Sequence, residues 1–457
     1  MRRCSLFGPV VLACLVSSPV HARGPTEPAV EALSLAVERT TLGNGLRVVL
    51  QVDHSAPTVA VAVTYDVGSR NEVPGRSGFA HLFEHMMFQG SSNAPKGAHF
   101  KLVSEHGGIL NGTTSGDGTN YFEVLPANQL PLALWLEADR LKGLDVTPQN
   151  FENQRKVVQE EYRMRVSNAA YVPAHIRLKE LVFQGYWPYE HDTIGSMQDL
   201  AAARFEWVKA FHDDYYVPNR AVLSIAGDFE PDQALALVRR YFDSARRGET
   251  APAYAPPPVP EQTRTRTAEL EDPHAPTPAF FYGWLGPATR QPDHYALELA
   301  ISVLTDGESS RLHQKLIRDL AVAQKVSGWT ADHRGPDLMG LEVQLTESAK
   351  LGEVERLVER ELDELGRAGP TEPEMRKFRN RVQAWFVLGL QSNLSRAIRL
   401  GQYELYWGDA RLLNEELGRY LAVSSGDIQR VVARYLTSTR RSLVEVRPAP
   451  RAEQTGK

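Results

Sequence analysis

His81-Leu82-Phe83-Glu84-His85, with Phe79 just before it and Met86, Met87 and Phe88 just after it, puts two imidazoles and one carboxylate on a single helical turn. Residues four apart on a helix share a face, so His81 and His85 can aim ring nitrogens at one ion with Glu84 beside them. Zinc suits this donor set, and a catalytic zinc takes three protein ligands while leaving a fourth position for water. The apolar flanks predict a mostly buried helix, and buried polar side chains need partners. A cation supplies one.

Working outward, a third ligand must come from another element, and Thr147-Pro148-Gln149-Asn150-Phe151 on to Val166 is the strongest segment. It opens as a helix, because Thr147 can cap free backbone amides and Pro148 suits the first helical position. At about 100° per residue, Phe151, Val157, Val158, Tyr162, Met164 and Val166 sum to one inward direction. Glu161 lies about 60° from that direction and Glu160 about 160° away, so Glu161 is expected to face in and Glu160 to face water.

These residues resemble the pitrilysin and insulinase zinc peptidases, the family that includes the mitochondrial processing peptidase. Its signature is His-x-x-Glu-His followed some 75 residues later by a ligand glutamate. Here 75 residues (positions 86 to 160) separate His85 from Glu161, in the setting Arg155-Lys156-Val157-Val158-Gln159-Glu160-Glu161. The resemblance implies Zn2+ held by His81, His85 and Glu161, with Glu84 as general base. Many relatives carry a second acidic residue where this chain has Gln154, which implies a different surrounding for the ligands. Gly107-Gly108-Ile109-Leu110-Asn111-Gly112-Thr113-Thr114-Ser115 is similar to the family's substrate-binding edge strand, with Gly112 where relatives usually have alanine. Asn111, Gly112 and Thr113 are therefore the expected backbone contacts, since an added peptide strand bonds through main chain. Leu316-Ile317-Arg318-Asp319-Leu320-Ala321-Val322-Ala323-Gln324 resembles the segment that brings an arginine and a tyrosine to the active site from the opposing domain. Arg318 matches the arginine, while Gln324 stands near the tyrosine position. This departure implies that a homologous partner chain supplies the tyrosine.

Composition sets outer bounds. A chain of 457 residues is long for one domain. Arg2 and Arg3, the apolar stretch from Leu6 to Val16, and Val20-His21-Ala22 read as a secretory signal over residues 1–22, predicting export, most simply to the periplasm. A lipid anchor through Cys14 is the alternative. Cys4 and Cys14, the only cysteines, both fall in that segment, which leaves no disulfide, thiol nucleophile or cysteine-ligated metal in a mature chain. The 51 basic and 56 acidic residues give −5, and loss of Arg2 and Arg3 makes it −7, which argues against nucleic acid as a partner. No later stretch is apolar enough to span a membrane.

Pro252, Pro256, Pro257, Pro258 and Pro260 favour an extended connection over residues 246–263. Strands are expected at Leu46–Gln51, Val59–Tyr65, Ala221–Ala226, Ala279–Trp284 and Leu338–Leu345, with helices at Tyr295–Leu304 and Glu353–Leu365. Val208–Ile225 and Ile428–Val446 echo each other as helix then apolar strand. The expected fold is α+β, two homologous α/β-sandwich domains joined by the proline-rich linker and clamshell-like when dimerised. The divisions are a signal (1–22), a zinc-binding catalytic domain (23–245), the linker (246–263), a homologous domain (264–450) and a polar tail (451–457). Short relatives carry one such pair per chain, so the resemblance implies a dimer around a chamber. Zinc-dependent endopeptidase is the expected activity, with a noncatalytic scaffold or partner subunit as the rival. His54, His99 and His106 are expected to be capping or surface residues.

Overall fold

The computed structural model describes residues 34–249 and 256–449; the signal segment with Cys14, Pro252 and the polar tail lie outside them. Two mixed sheets carry the chain. The first contains β1 (Glu38–Thr41), β2 (Arg47–Val52), β3 (Thr58–Tyr65), β4 (Ile109–Thr114), β5 (Thr119–Pro126) and β6 (Ala221–Gly227), in the order β1-β2-β6-β3-β5-β4. The second contains β7 (Arg266–Asp272), β8 (Ala279–Gly286), β9 (Ala323–Thr330), β10 (Asp337–Leu345) and β11 (Arg441–Pro448), in the order β7-β11-β8-β10-β9. With β1 set aside the orders match strand for strand, down to one parallel pair in each, β2 with β6 and β7 with β11. The helix-then-strand echo read from the sequence is Phe205–Tyr215 with β6 and Ser425–Tyr435 with β11.

Strand β3 shows why both faces of the sheet are buried. Its Val59, Val61 and Val63 point into the core beneath the helices of the first half, while Ala60 and Ala62 point to the opposite face. There they meet Ala226, Phe122 and Ala397, the last on the helix Asn393–Trp407 from the far end of the chain. Small side chains let that helix sit close. A Cβ on its Gly401 would come within 2.7 Å of Thr64 Oγ1 and 2.8 Å of Ser224 Oγ. The exchange is mutual, because the helix Val172–Val182 of the first half packs on β7, β8 and β11 of the second sheet. Gly283 in β8 makes room there, a Cβ at that position falling 2.6 Å from Val182.

Two expectations are corrected. Val157 and Met164, expected to face inward, are exposed, while Phe151, Val158 and Val166 are buried. Val157 is one residue, hence about 100°, from Val158 and cannot share its face, and Met164 falls where the helix widens into the π-type turn Arg163–Ser167. His99 is buried rather than superficial, its Nε2 lying 2.6 Å from Glu123 Oε1.

Candidate metal centre

The helix Phe79–Met86 begins at Gly78, whose φ of +87 and close approach to Ile194 O, 2.7 Å from an added Cβ, exclude a larger residue. Glu72 caps it, accepting from Gly78 N at 2.9 Å and Ala80 N at 2.7 Å, which puts a carboxylate at the positive end of the helix. The buried side chains Phe79, Leu82, Phe83 and Met86 fix its rotation, and His81 and His85 then emerge on the side facing the helix Pro148–Tyr162. That second helix starts as expected, with Thr147 Oγ1 accepting from Asn150 N at 3.2 Å.

Glu161 Oε2 lies 3.2 Å from His85 Nε2 and 3.8 Å from His81 Nε2, and one donor atom from each of the three residues falls within 4.8 Å of the others. Tetrahedral zinc with bonds of about 2.0–2.1 Å separates its ligand atoms by about 3.3 Å, so the spacing suits one shared ion. Glu160, by contrast, points outward and pairs with Arg163. Burial, followed by the His85 charge, pushes His81 down to about 4, and burial pushes His85 down as well. Both rings are therefore neutral near pH 7, the form that ligates metal. Gln154 is buried and hydrogen-bonded to the His85 ring.

Glu84 does not join the three donors. Its Oε2 accepts from Thr114 Oγ1 on β4, and burial raises its pKa against the opposing effect of that bond. Strand β4 ends the sheet and runs directly past Glu84, with a Cβ at Gly112 falling 2.9 Å from Glu84 Cγ. Asn111 and Thr113 are exposed on that strand, and among the described residues its outer edge has no strand partner. Arg318 lies apart. It is exposed in the turn His313–Asp319, paired with Asp319 at 3.1 Å, and does not line the cleft beside His81.

The cleft measures about 430 Å³ and holds residues that the sequence reading did not single out. Arg165 reaches Glu161 Oε1 at 3.0 Å from the wide turn after the ligand helix. His175 and Lys179 come from the exchanged helix Val172–Val182, and Trp329 and His333 come from the second half. Burial pushes Lys179 downward. Arg165, four residues beyond Glu161, could have been found by helical spacing; the others depend on packing between distant segments.

Residues 47–184 match the family model described as Insulinase (Peptidase family M16), and residues 204–382 match the one described as Peptidase M16 inactive domain. The chain is 28% identical over 413 residues to the zinc protease PqqE of Helicobacter pylori, covering 90% of this chain and 93% of that one. It is 30% identical over 424 residues to an uncharacterised zinc protease of Mycobacterium bovis, covering 92% and 94%. The crystal structure of a protease from Helicobacter pylori superposes with a TM-score of 0.87 at 28% identity, covering 91% of this chain and all of that one.

Proposed function

Because this chain belongs to the insulinase family of peptidases, family M16, we propose that it is a zinc-dependent endopeptidase acting on peptides or unfolded polypeptides. The observation that carries the reading is the convergence of His81 Nε2, His85 Nε2 and Glu161 Oε2 with Glu84 alongside and β4 open beside it. His81, His85 and Glu161 would hold Zn2+, which when bound acidifies water and polarises a carbonyl. Glu84 takes the proton from the attacking water on its carboxylate and returns it to the departing amide nitrogen. Thr114, which lines the cleft, holds that carboxylate through its hydroxyl. The edge of β4, through the backbone of Asn111, Gly112 and Thr113, would bind the substrate as an added strand and so tolerate many sequences. Gln154 and Arg165 orient His85 and Glu161.

Glu84→Gln tests the assignment: about 10²- to 10⁴-fold loss of peptide cleavage with stoichiometric zinc retained is expected, and undiminished turnover would sink it. The described residues contain no helix long and apolar enough to cross a membrane, and the leader read from residues 1–22 supports export to the periplasm, with lipidation at Cys14 as the alternative route. The division at residues 23–245, 246–263 and 264–450 belongs to the same reading.

A second reading, a subunit that needs a homologous partner, is favoured by one observation: Arg318 is exposed away from His81 and Gln324 stands where a tyrosine is expected. In a dimer closing a chamber, Arg318 would serve the other chain's site. Cleavage that rises only when a homologous partner is added would support it; full activity of a homodimer would exclude the need for that partner.

A further inference from the structure

The duplicated topology sets β8 in the place of β3, and the helix Pro292–Thr305 follows β8 as Phe79–Met86 follows β3. It carries His294 and Glu298, four residues apart like His81 and His85. The geometry points to a second divalent-cation site, separate from the proposed catalytic centre, formed by His294, Glu298 and Asp332. His294 Nε2 lies 3.8 Å from Glu298 Oε2 and 3.6 Å from Asp332 Oδ1. Those separations exceed a hydrogen bond and approach the ligand spacing of about 3.3 Å around one tetrahedral ion.

Charge and burial make the same case. The His294 side chain is 1% exposed and its Nδ1 has no hydrogen-bond partner, though Asp337 Oδ2 stands 3.5 Å away. Three carboxylates, Glu298, Asp332 and Asp337, surround this ring; Asp337 is taken up by His333 and by the backbone N–H groups of Asp332, His333 and Leu338, while among the described residues no lysine or arginine pairs with Glu298 or Asp332. The other compact histidine-carboxylate group, His99 with Glu123 and Glu137, already encloses a cation in Arg140. The carboxylates at the proposed site are also pre-oriented: Tyr420 Oη donates to Glu298 Oε2 at 2.5 Å and Thr330 Oγ1 to Asp332 Oδ1 at 2.9 Å. Asp332 sits at φ +58, a left-handed conformation that aspartate and asparagine both adopt, and its exposed side chain leaves a coordination position for water.

One nitrogen and two carboxylate oxygens suit Zn2+ among first-row cations. Bound there, it would tie the hairpin that carries Asp332 to the helix Pro292–Thr305. The same hairpin bears His333, which stacks on Tyr189 at 3.9 Å and lines the catalytic cleft. The test is a Zn2+ titration of the metal-free full-length chain against a chromophoric chelator. Two equivalents per chain are expected, one remaining in His294→Ala and one in the double variant His81→Ala/His85→Ala. Asp332→Asn, chosen because asparagine accepts a left-handed backbone, should weaken the second equivalent at least about tenfold with the fold intact by circular dichroism. Zinc uptake unchanged in both His294→Ala and Asp332→Asn overturns the site, whatever the wild-type total. Loss of the His81 equivalent alone would instead count against the peptidase reading.

Discussion

Thr114 is the only side chain hydrogen-bonded to the Glu84 carboxylate among the described residues, and burial already works against its charged form. Thr114→Val keeps the shape of the strand and removes the donor, so turnover is expected to fall about tenfold while zinc content is unchanged, a split read by kcat against metal analysis. At this scale the sequence was most informative where geometry is local. The spacing of His81, Glu84 and His85 is set by one turn, and the inward phase of Glu161 follows from the buried Phe151 and Val158. Thr114 was quoted only as part of an edge strand, because its contact with Glu84 depends on how β4 packs beside the helix, which no spacing encodes.

At the scale of elements, most strands were readable as short apolar runs, and β3, β6 and β10 begin and end within a residue or two of expectation. Their partners were not. The alternation of valine and alanine in β3 signals a strand buried on both faces, but nothing local says that the helix covering the alanine face starts at Asn393. The contact leaves no space at Gly401, so Gly401→Leu is expected to destabilise by at least about 2 kcal/mol, measured as a lowered denaturation midpoint. An equally stable variant would mean that the helix is not seated against Thr64 and Ser224 in solution.

Across the whole molecule, Glu342 on β10 links the halves. It lies 3.6 Å from His175 on the exchanged helix and 3.1 Å from Lys325, with its side chain 3% exposed. Burial opposes its charge, but hydrogen bonds from His175, Gln344 and Lys325 outweigh that and hold it at about 2, below the ordinary 4.5. The folded chain therefore keeps Glu342 ionised where the unfolded chain takes up a proton. The stability it contributes, up to about 3 kcal/mol, is present above about pH 4.5 and lost as pH falls toward about 2. Glu342→Gln should flatten the acid limb of a stability-against-pH curve over that interval; an unchanged slope would remove Glu342 from the account.

The order of synthesis gives the exchanged elements another meaning. Strand β11, residues Arg441–Pro448, lies between β7 and β8, so the second sheet closes only near the end of the chain, and the first sheet, whose strands end at Gly227, stays uncovered on its alanine face until the helix Asn393–Trp407 is made. A growing polypeptide cannot close the second sheet or cover the first early, and a chain stopped short would present the bare faces of Ala60, Ala62, Phe122 and Ala226 to the cell's proteases. Completion of folding is thus coupled to completion of translation.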